Sequence, residues 1–480
     1  MNELGVLPNL AYLLATALFV LGLKRLGRVR TARRGNQFAA LGMLVAVVTT
    51  LAAYADLGWG WIIAGALIGT LVGAWLARTV AMTSMPEMVA LLNGLGGGAS
   101  LLVALAVLWS SYYDVPDMRA ALDLGAPTPA QAMNGAWTAT VLLSVLIGGV
   151  TLTGSLVAVG KLSGRISGNA VLLPFRHLIN LGLGAAAISL GLIAGWGATG
   201  SLAVFLVVVL AIIAFALGVL LVIPIGGADM PVVISLLNSY SGIAASMTGF
   251  VIGNPLLIAA GALVGASGLI LTQLMCKAMN RSIGNVLVGG FGASDGGGGD
   301  QSDYVGVKSA SPEEAAMLLE AAASVIFVPG YGMAVAQAQH VVKELMEKLE
   351  KNGTEVRFAI HPVAGRMPGH MNVLLAEADV PYEKLLELEK INGDFRNTDV
   401  VVIVGANDVV NPVAVDDPQS PIAGMPILNA YEAQTVLMIK RSLSPGYAGI
   451  KNPLFERDNC LMCFGDGKEF LAQIVQEFGT

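Results

Sequence analysis

Val325-Ile326-Phe327-Val328-Pro329-Gly330-Tyr331-Gly332-Met333-Ala334-Val335 decides how the last third of this chain folds. β-branched and aromatic residues in an unbroken run predict a buried strand over 324–328. Two glycines one residue apart predict a tight turn, and the segment after them predicts a helix near 333–351. Strand, glycine turn and helix are the setting in which G-x-G-x-x-G cradles a pyrophosphate on a helix N-terminus. Val335 stands at the third glycine position, so the pattern is degenerate. It favours nucleotide binding over a plain turn because of its setting.

Outward from that turn the pattern alternates strand and helix. Strands are predicted at 355–360, 399–404, 426–428 and 435–439, with helices near 381–390 and 467–478. Ser311-Pro312-Glu313-Glu314 opens an earlier helix to about 322, with serine as cap and acids in its first turn. Such alternation implies a doubly wound parallel sheet of Rossmann-like type. Two further loops fall at the edge where such sheets bind ligands: 363–370, with Arg366, and Gly405-Ala406-Asn407-Asp408. Arg366 suits a phosphate; Asn407 and Asp408 suit a ribose or carboxamide.

An absence sharpens the reading. The second strand of NAD-binding domains usually ends in an acid that accepts from the adenine ribose. Here Val356 to Ile360 runs into His361-Pro362. Without a carboxylate to repel it, a 2′-phosphate fits, and Lys440-Arg441 at the end of the last predicted strand supplies counter-charge. The domain's histidines, His340, His361 and His370, lack metal-ligand spacing, and His340 reads as helix surface.

Before about residue 285 the chain is almost entirely apolar. Only 12% of all 480 residues are charged, against about 25% in soluble proteins. Residues 1–285 hold 13 Lys/Arg and 7 Asp/Glu, the remainder 14 and 26, balances of +6 and −12. An acidic soluble part argues against nucleic-acid binding. Nine stretches are long enough to cross a bilayer: 5–23, 37–55, 60–77, 86–110, 135–159, 178–196, 201–223, 230–251 and 254–276. Twelve of thirteen basic residues follow odd-numbered spans, Arg119 being the exception. The positive-inside rule then puts the N-terminus outside and the C-terminal domain in the cytosol. The expected organisation is a membrane domain over 1–284, a Gly-rich linker over 285–308 and a nucleotide-binding domain over 309–480. Four consecutive glycines within 292–303 mark the linker.

Within the spans the informative residues are polar. Asn93 and Asn238 lie about 10 and 13 Å into spans four and eight at 1.5 Å per residue, counted from Pro86 and Asp229. Asp229 lies at the predicted cytosolic end of span eight. Such groups face a bundle interior or an ion route, or join helices. Cys276 reads as packing, and Cys460 and Cys463, a C-x-x-C without companions, as bystanders.

With both halves in view the chain resembles the β subunit of proton-translocating NAD(P) transhydrogenases. The resemblance rests on Met85-Pro86-Glu87, the stretch Ile225 to Pro231, Leu237 to Gly242 and Cys276 to Arg281. It continues through Gly330 to Val335, His361 to Asn372, Gly405 to Asp408, Lys440-Arg441-Ser442 and Gly446-Tyr447-Ala448-Gly449. It implies hydride transfer between NAD(H) on a partner α subunit and NADP(H) on this chain, coupled to proton movement across a bacterial inner membrane. It further implies a dimer of αβ units and no catalytic acid, base or metal here. The implied cofactor contacts are Gly330, Tyr331, Gly332, Met333, Ala334, Val335, Arg366, Gly405, Ala406, Asn407, Asp408, Lys440, Arg441, Ser442, Gly446, Tyr447 and Ala448. Asn93, Asp229 and Asn238 belong to the implied proton path or its coupling.

One departure bears on the pump. Many members of that family carry histidine where this chain has Asn93, and an amide cannot titrate near neutral pH. The titrating group is therefore expected on a span of the partner. A channel or transporter gated by a cytosolic nucleotide domain shares the same outline, as does a non-catalytic assembly subunit, which predicts no tight nucleotide binding.

Overall fold

The computed structural model describes residues 6–27, 29–53, 58–112, 135–168, 170–196, 201–280, 282–288, 304–420, 422–446 and 448–478. Arg28, Arg119, Arg281, Tyr447 and the glycine tract of 292–303 lie outside them. Two compact units emerge: Met1–Ile225 with Val233–Thr272, and Gly226–Val232 with Gln273–Thr480.

Nine described helices are long and apolar enough to cross a membrane. They are α1 (Val6–Leu26), α2 (Val29–Ala53), α3 (Trp59–Thr79), α4 (Met85–Tyr112), α5 (Gly135–Leu162), α6 (Arg176–Trp196), α7 (Ser201–Val222), α8 (Met230–Ile252) and α9 (Pro255–Ala278). Each expected span is present. α2 starts earlier than expected, so Arg30, Arg33 and Arg34 are helical rather than in a loop; lysines and arginines are good helix formers.

Small residues set the packing of the first unit, as in helix pairs that have no hydrophobic effect to join them. A Cβ on Gly148 of α5 would lie 2.6 Å from the Gly97 carbonyl of α4, so the two backbones touch. Further out, the Ser144 and Thr248 hydroxyls pair at 2.8 Å, and Ser144 also donates to the Ser100 carbonyl at 3.2 Å, tying α5 to α8 and α4. α3 by contrast has no buried residue.

In the second unit seven strands form one wholly parallel sheet. They are β1 (Lys308–Ser309), β2 (Ser324–Pro329), β3 (Glu355–Ile360), β4 (Leu385–Glu387), β5 (Val400–Val404), β6 (Thr435–Lys440) and β7 (Cys460–Phe464), in the order β1-β7-β6-β5-β2-β3-β4. Helices α10 (Pro312–Glu320), α11 (Tyr331–Ala336), α12 (Gln339–Lys351), α13 (His370–Glu377) and α14 (Gly467–Glu477) connect and flank it. Ser311 caps α10 in a full capping box with Glu314. The core is the two-sided apolar run of β2, β5 and β6, for example Ile326, Val401 and Val436, all fully buried.

Three local expectations are corrected. The helix of 333–351 is two helices, because Gln337 adopts a left-handed conformation (φ 51°) that ends α11. The segment 426–428 is not a strand: the Leu428 amide is taken by the Val409 carbonyl and the Pro426 carbonyl faces His361. Leu385-Leu386-Glu387, expected within a helix, pairs with Phe358 to Ile360 as an edge strand; tertiary pairing overrides helix propensity. The edge strand β1, the apolar strand β7 and the short helix α13 were not anticipated.

Candidate functional site

β2 is the strand from which the sheet is built outward in both directions. The chain goes β2 to β3 to β4 on one side, then returns to add β5, β6 and β7 on the other. The switch point therefore lies between β2 and β5, and ligands of doubly wound sheets bind beyond the carboxyl ends there. Pro329 pairs with Val404, so the Gly330 and Gly405 loops leave the sheet at one level.

The two loops touch backbone to backbone. Gly330 N donates to the Val404 carbonyl and Gly332 N to the Gly405 carbonyl, both at 2.9 Å. A Cβ on Gly330 would lie 2.4 Å from Ala406, and one on Gly332 would lie 2.6 Å from the Gly405 Cα. The glycine pattern thus has a steric cause within the protein, beside any approach of a ligand. Gly405 itself has φ 65°, open to glycine at little cost.

A cavity of about 420 Å³ opens above this contact, within the range of roughly 300–1,000 Å³ usual for ligand sites. Gly330, Tyr331, Gly332, Gly405, Ala406, Asn407, Asp408, Lys440, Gly446 and Ala448 line it, ten of the residues expected from sequence. Others stand elsewhere. Met333 and Ala334 are fully buried beneath the turn, whereas Val335 is 46% exposed. The Arg366 guanidinium stacks 4.2 Å from the Tyr331 ring centroid. Arg441 donates to Asp466 at 3.1 Å, the carboxylate that caps α14. Ser442 donates to Ser444.

Lys440 is the cation of the cavity. Its ammonium donates to the Ser444 carbonyl and lies 5.3 Å from the Phe455 ring centroid. Burial lowers its pKa to about 8, opposed by the nearby Asp408 carboxylate. Asp408 Oδ2 accepts from Ala448 N at 3.0 Å, and a Cβ on Gly446 would sit 2.4 Å from Oδ1. The carboxylate thereby fastens Ala448 beside the cavity and leaves Gly446 no room for a side chain. Asn452, fully buried, donates to the Asn407 carbonyl at 3.3 Å.

The loop after β3 is pinned by two buried imidazoles. His361 Nε2 meets the Pro426 carbonyl at 2.7 Å, and His370 Nδ1 accepts from Arg366 N at 3.0 Å. Burial, foremost for both, lowers each pKa to about 4, with Arg366 adding to the effect at His370. Both are neutral at physiological pH. His340 is exposed, as expected.

Sequence reasoning did not single out Gly365, Ile422 or Met425, which also line the cavity, nor Pro231 and Met279, which belong to the same compact unit. The 422–425 segment is irregular and carried no periodicity to flag it. Cys460 and Cys463 are free and fully buried in β7, with burial raising both thiols to about 12, far from a reactive thiolate. Among the described residues of the spans, Asn93 is 8% exposed and donates to the Ile234 carbonyl of α8 at 3.2 Å. Asp229 closes a single 3-10 turn, Gly227–Asp229, just ahead of α8, and Asn238 lies half-buried within it.

Parallel sheet, switch-point cavity, glycine turn and a train of membrane-length helices define a membrane protein with a Rossmann-like domain. Comparison with known proteins narrows the class. The family described as "NAD(P) transhydrogenase beta subunit" matches residues 8–477. A protein named NAD(P) transhydrogenase subunit beta from Rhodospirillum rubrum is 50% identical over 472 residues, covering 97% of this chain and 98% of the relative. A second sequence of that name, from a designated strain of the same organism, matches equally. The chain belongs to the NAD(P) transhydrogenase beta-subunit family.

Proposed function

We propose that this chain binds NADP(H) in the cavity above Gly330 and Gly332 and, with an NAD(H)-binding α subunit, carries out hydride transfer coupled to proton translocation. The observation that carries this reading is the joining of Gly330, Gly332, Gly405 and Lys440 around one cavity at the switch point.

The cavity suits a phosphorylated dinucleotide on its own chemistry. The Gly330 turn opens α11 without side chains in the way, and amides at a helix start favour an anion. β3 ends without a carboxylate, and Lys440 brings positive charge. The bound nicotinamide supplies the redox chemistry. The chain's own residues position it: Gly330, Gly332 and Gly405 shape the floor, Asp408 holds Ala448, and Lys440 faces the phosphates. Arg366 and Arg441 stand one loop away, and Arg441 can exchange Asp466 for a 2′-phosphate. Met333, Ala334 and Val335 support the turn and Ser442 completes the rim; Tyr447, outside the described residues, is assigned to the cofactor by its place in the sequence.

Proton coupling requires two states of different nucleotide affinity. Pro231 lines the cavity two residues beyond Asp229, which supports a link between cofactor and span eight. Asp229, Asn93 and Asn238 form this chain's share of the path, with the titrating group on the partner. The assembly is a dimer of αβ units in a bacterial inner membrane, N-terminus outside. Residues 1–284 are the membrane domain, 285–308 the linker and 309–480 the cytosolic NADP(H) domain.

The test uses membranes containing this chain with its α partner. NADH-to-NADP⁺ hydride transfer is measured with and without an uncoupler, and NADPH and NADH affinities are compared on the full chain. Acceleration by uncoupler together with preference for NADPH is expected. Equal affinity for both nucleotides removes the proposal; indifference to uncoupler removes the pump.

A further inference from the structure

Lys161, the next-to-last residue of α5, is a charged side chain only 4% exposed in a bundle of apolar helices. Its ammonium donates to two main-chain carbonyls, Ile223 O at 2.7 Å and Ile225 O at 2.8 Å. Both lie just past the last turn of α7, where a helix leaves carbonyls without helical partners and carries partial negative charge. Pro224 between them has no N–H and cannot prolong the helix. The Ile223 carbonyl also accepts from Val171 N at 3.3 Å, so the loop after α5 closes on the same point.

The ammonium is presented from a rigid seam. Thr153 of α5 donates to the Phe215 carbonyl of α7 at 2.8 Å, and a Cβ on Gly218 would lie 2.5 Å from the Val150 carbonyl. α5 and α7 are thus in backbone contact over the two turns that lead to Lys161. The place it grips is also a boundary. Ile225 is the last residue of one compact unit, and Gly226–Val232, which carries Asp229, belongs to the other. A Cβ on Gly226 would meet nothing within 4 Å, so the chain is unencumbered immediately beyond the grip.

We propose that Lys161 is a positioning residue for proton coupling: by holding the Ile223 and Ile225 carbonyls it makes Gly226 the point at which the Asp229 segment moves, and prevents α7 from unwinding to absorb that motion. This rests on the proposed coupling of nucleotide binding to proton movement. Lys161 acts through the fixed end of α7.

The test uses the full chain with its α partner in proteoliposomes, comparing wild type, Lys161→Met and Lys161→Arg. Three quantities are read: hydride transfer with uncoupler, protons moved per hydride, and amide hydrogen exchange over 219–229. Lys161→Met is expected to keep uncoupled hydride transfer within about twofold and to lower protons per hydride roughly fivefold. Exchange over 219–229 should quicken, and Lys161→Arg, which keeps charge and donors, should restore both readouts. Wild-type protons per hydride in Lys161→Met overturn the proposal, as does a loss that Lys161→Arg does not rescue. If Lys161→Met does not accumulate in membranes, Lys161→Gln takes its place, with the same outcomes deciding. Should the wild type move no protons, the pump reading fails by itself. Unchanged exchange in the neutral variant would separately remove the anchor.

Discussion

Gly332 and Gly405 meet without side chains between them: the Gly332 amide donates to the Gly405 carbonyl at 2.9 Å, and neither Cα has room for a methyl. This contact joins the ends of β2 and β5 and forms the floor of the cavity. Gly332→Ala is expected to push the loops apart, at a cost of about 1–3 kcal/mol as for other overpacked sites. NADPH affinity should fall by about fivefold to 150-fold, since 1.4 kcal/mol is one decade. Calorimetric titration of the variant checks this; unchanged affinity would mean the loop contact does not shape the site.

Lys440 provides a charge test with a pH signature. Its pKa of about 8 lies below the model-compound value of 10.5 because of burial. The folded chain therefore loses this proton first as pH rises, and the positive charge fades through about pH 8. The share of the NADPH-over-NADH preference that Lys440 supplies should be full below about pH 7, half lost near pH 8 and small by pH 9. Lys440→Met should weaken the preference and remove its pH dependence, leaving what Arg441 supplies. A preference flat to pH 10 in the wild type would exclude Lys440 as the phosphate's partner.

The buried histidines predict acid sensitivity. His361 and His370 have folded pKa values of about 4 against 6.5 in the open chain. Unfolded chains take up these protons first, so the stability is present above pH 6.5 and drains away as pH falls toward 4. Each contributes on the order of 1.4 kcal/mol per pH unit in that window. Denaturation midpoints at pH 7, 6 and 5 measure the slope, and His361→Gln should flatten it while lowering stability at pH 7.

Asn93 is held to α8 by its bond to the Ile234 carbonyl. Interhelical hydrogen bonds in membranes are worth about 0.6 kcal/mol on average and up to roughly 1.7. Asn93→Leu should reduce thermal stability by that order and leave hydride transfer in uncoupled membranes intact. A full loss of uncoupled activity would place Asn93 in the chemistry itself.

The lesson about legibility lies in particular residues. Spans α1 to α9 were legible because a bilayer demands about 20 apolar residues in sequence, a purely local property. β2, β5 and β6 were legible because a strand buried on both faces leaves an unbroken apolar run, and β3 through its β-branched and aromatic residues Val356, Phe358 and Ile360. β4 was not: Leu385-Leu386-Glu387 reads as helix until its pairing with Phe358 is known. Gln337 was equally opaque, since nothing in its type demands a left-handed break.

Sequence alone determined the membrane-length spans, the parallel sheet, the turn at Gly330 and the family, all carried by neighbouring residues along the chain. Tertiary structure alone decided which expected residues share the cavity, why Gly332 needs Gly405, that Arg441 rests on Asp466, and that Lys161 caps α7. Such partners are tens of residues apart in the chain. Hydrogen bonds, steric contact and burial depend on distance in space, which composition and periodicity do not encode.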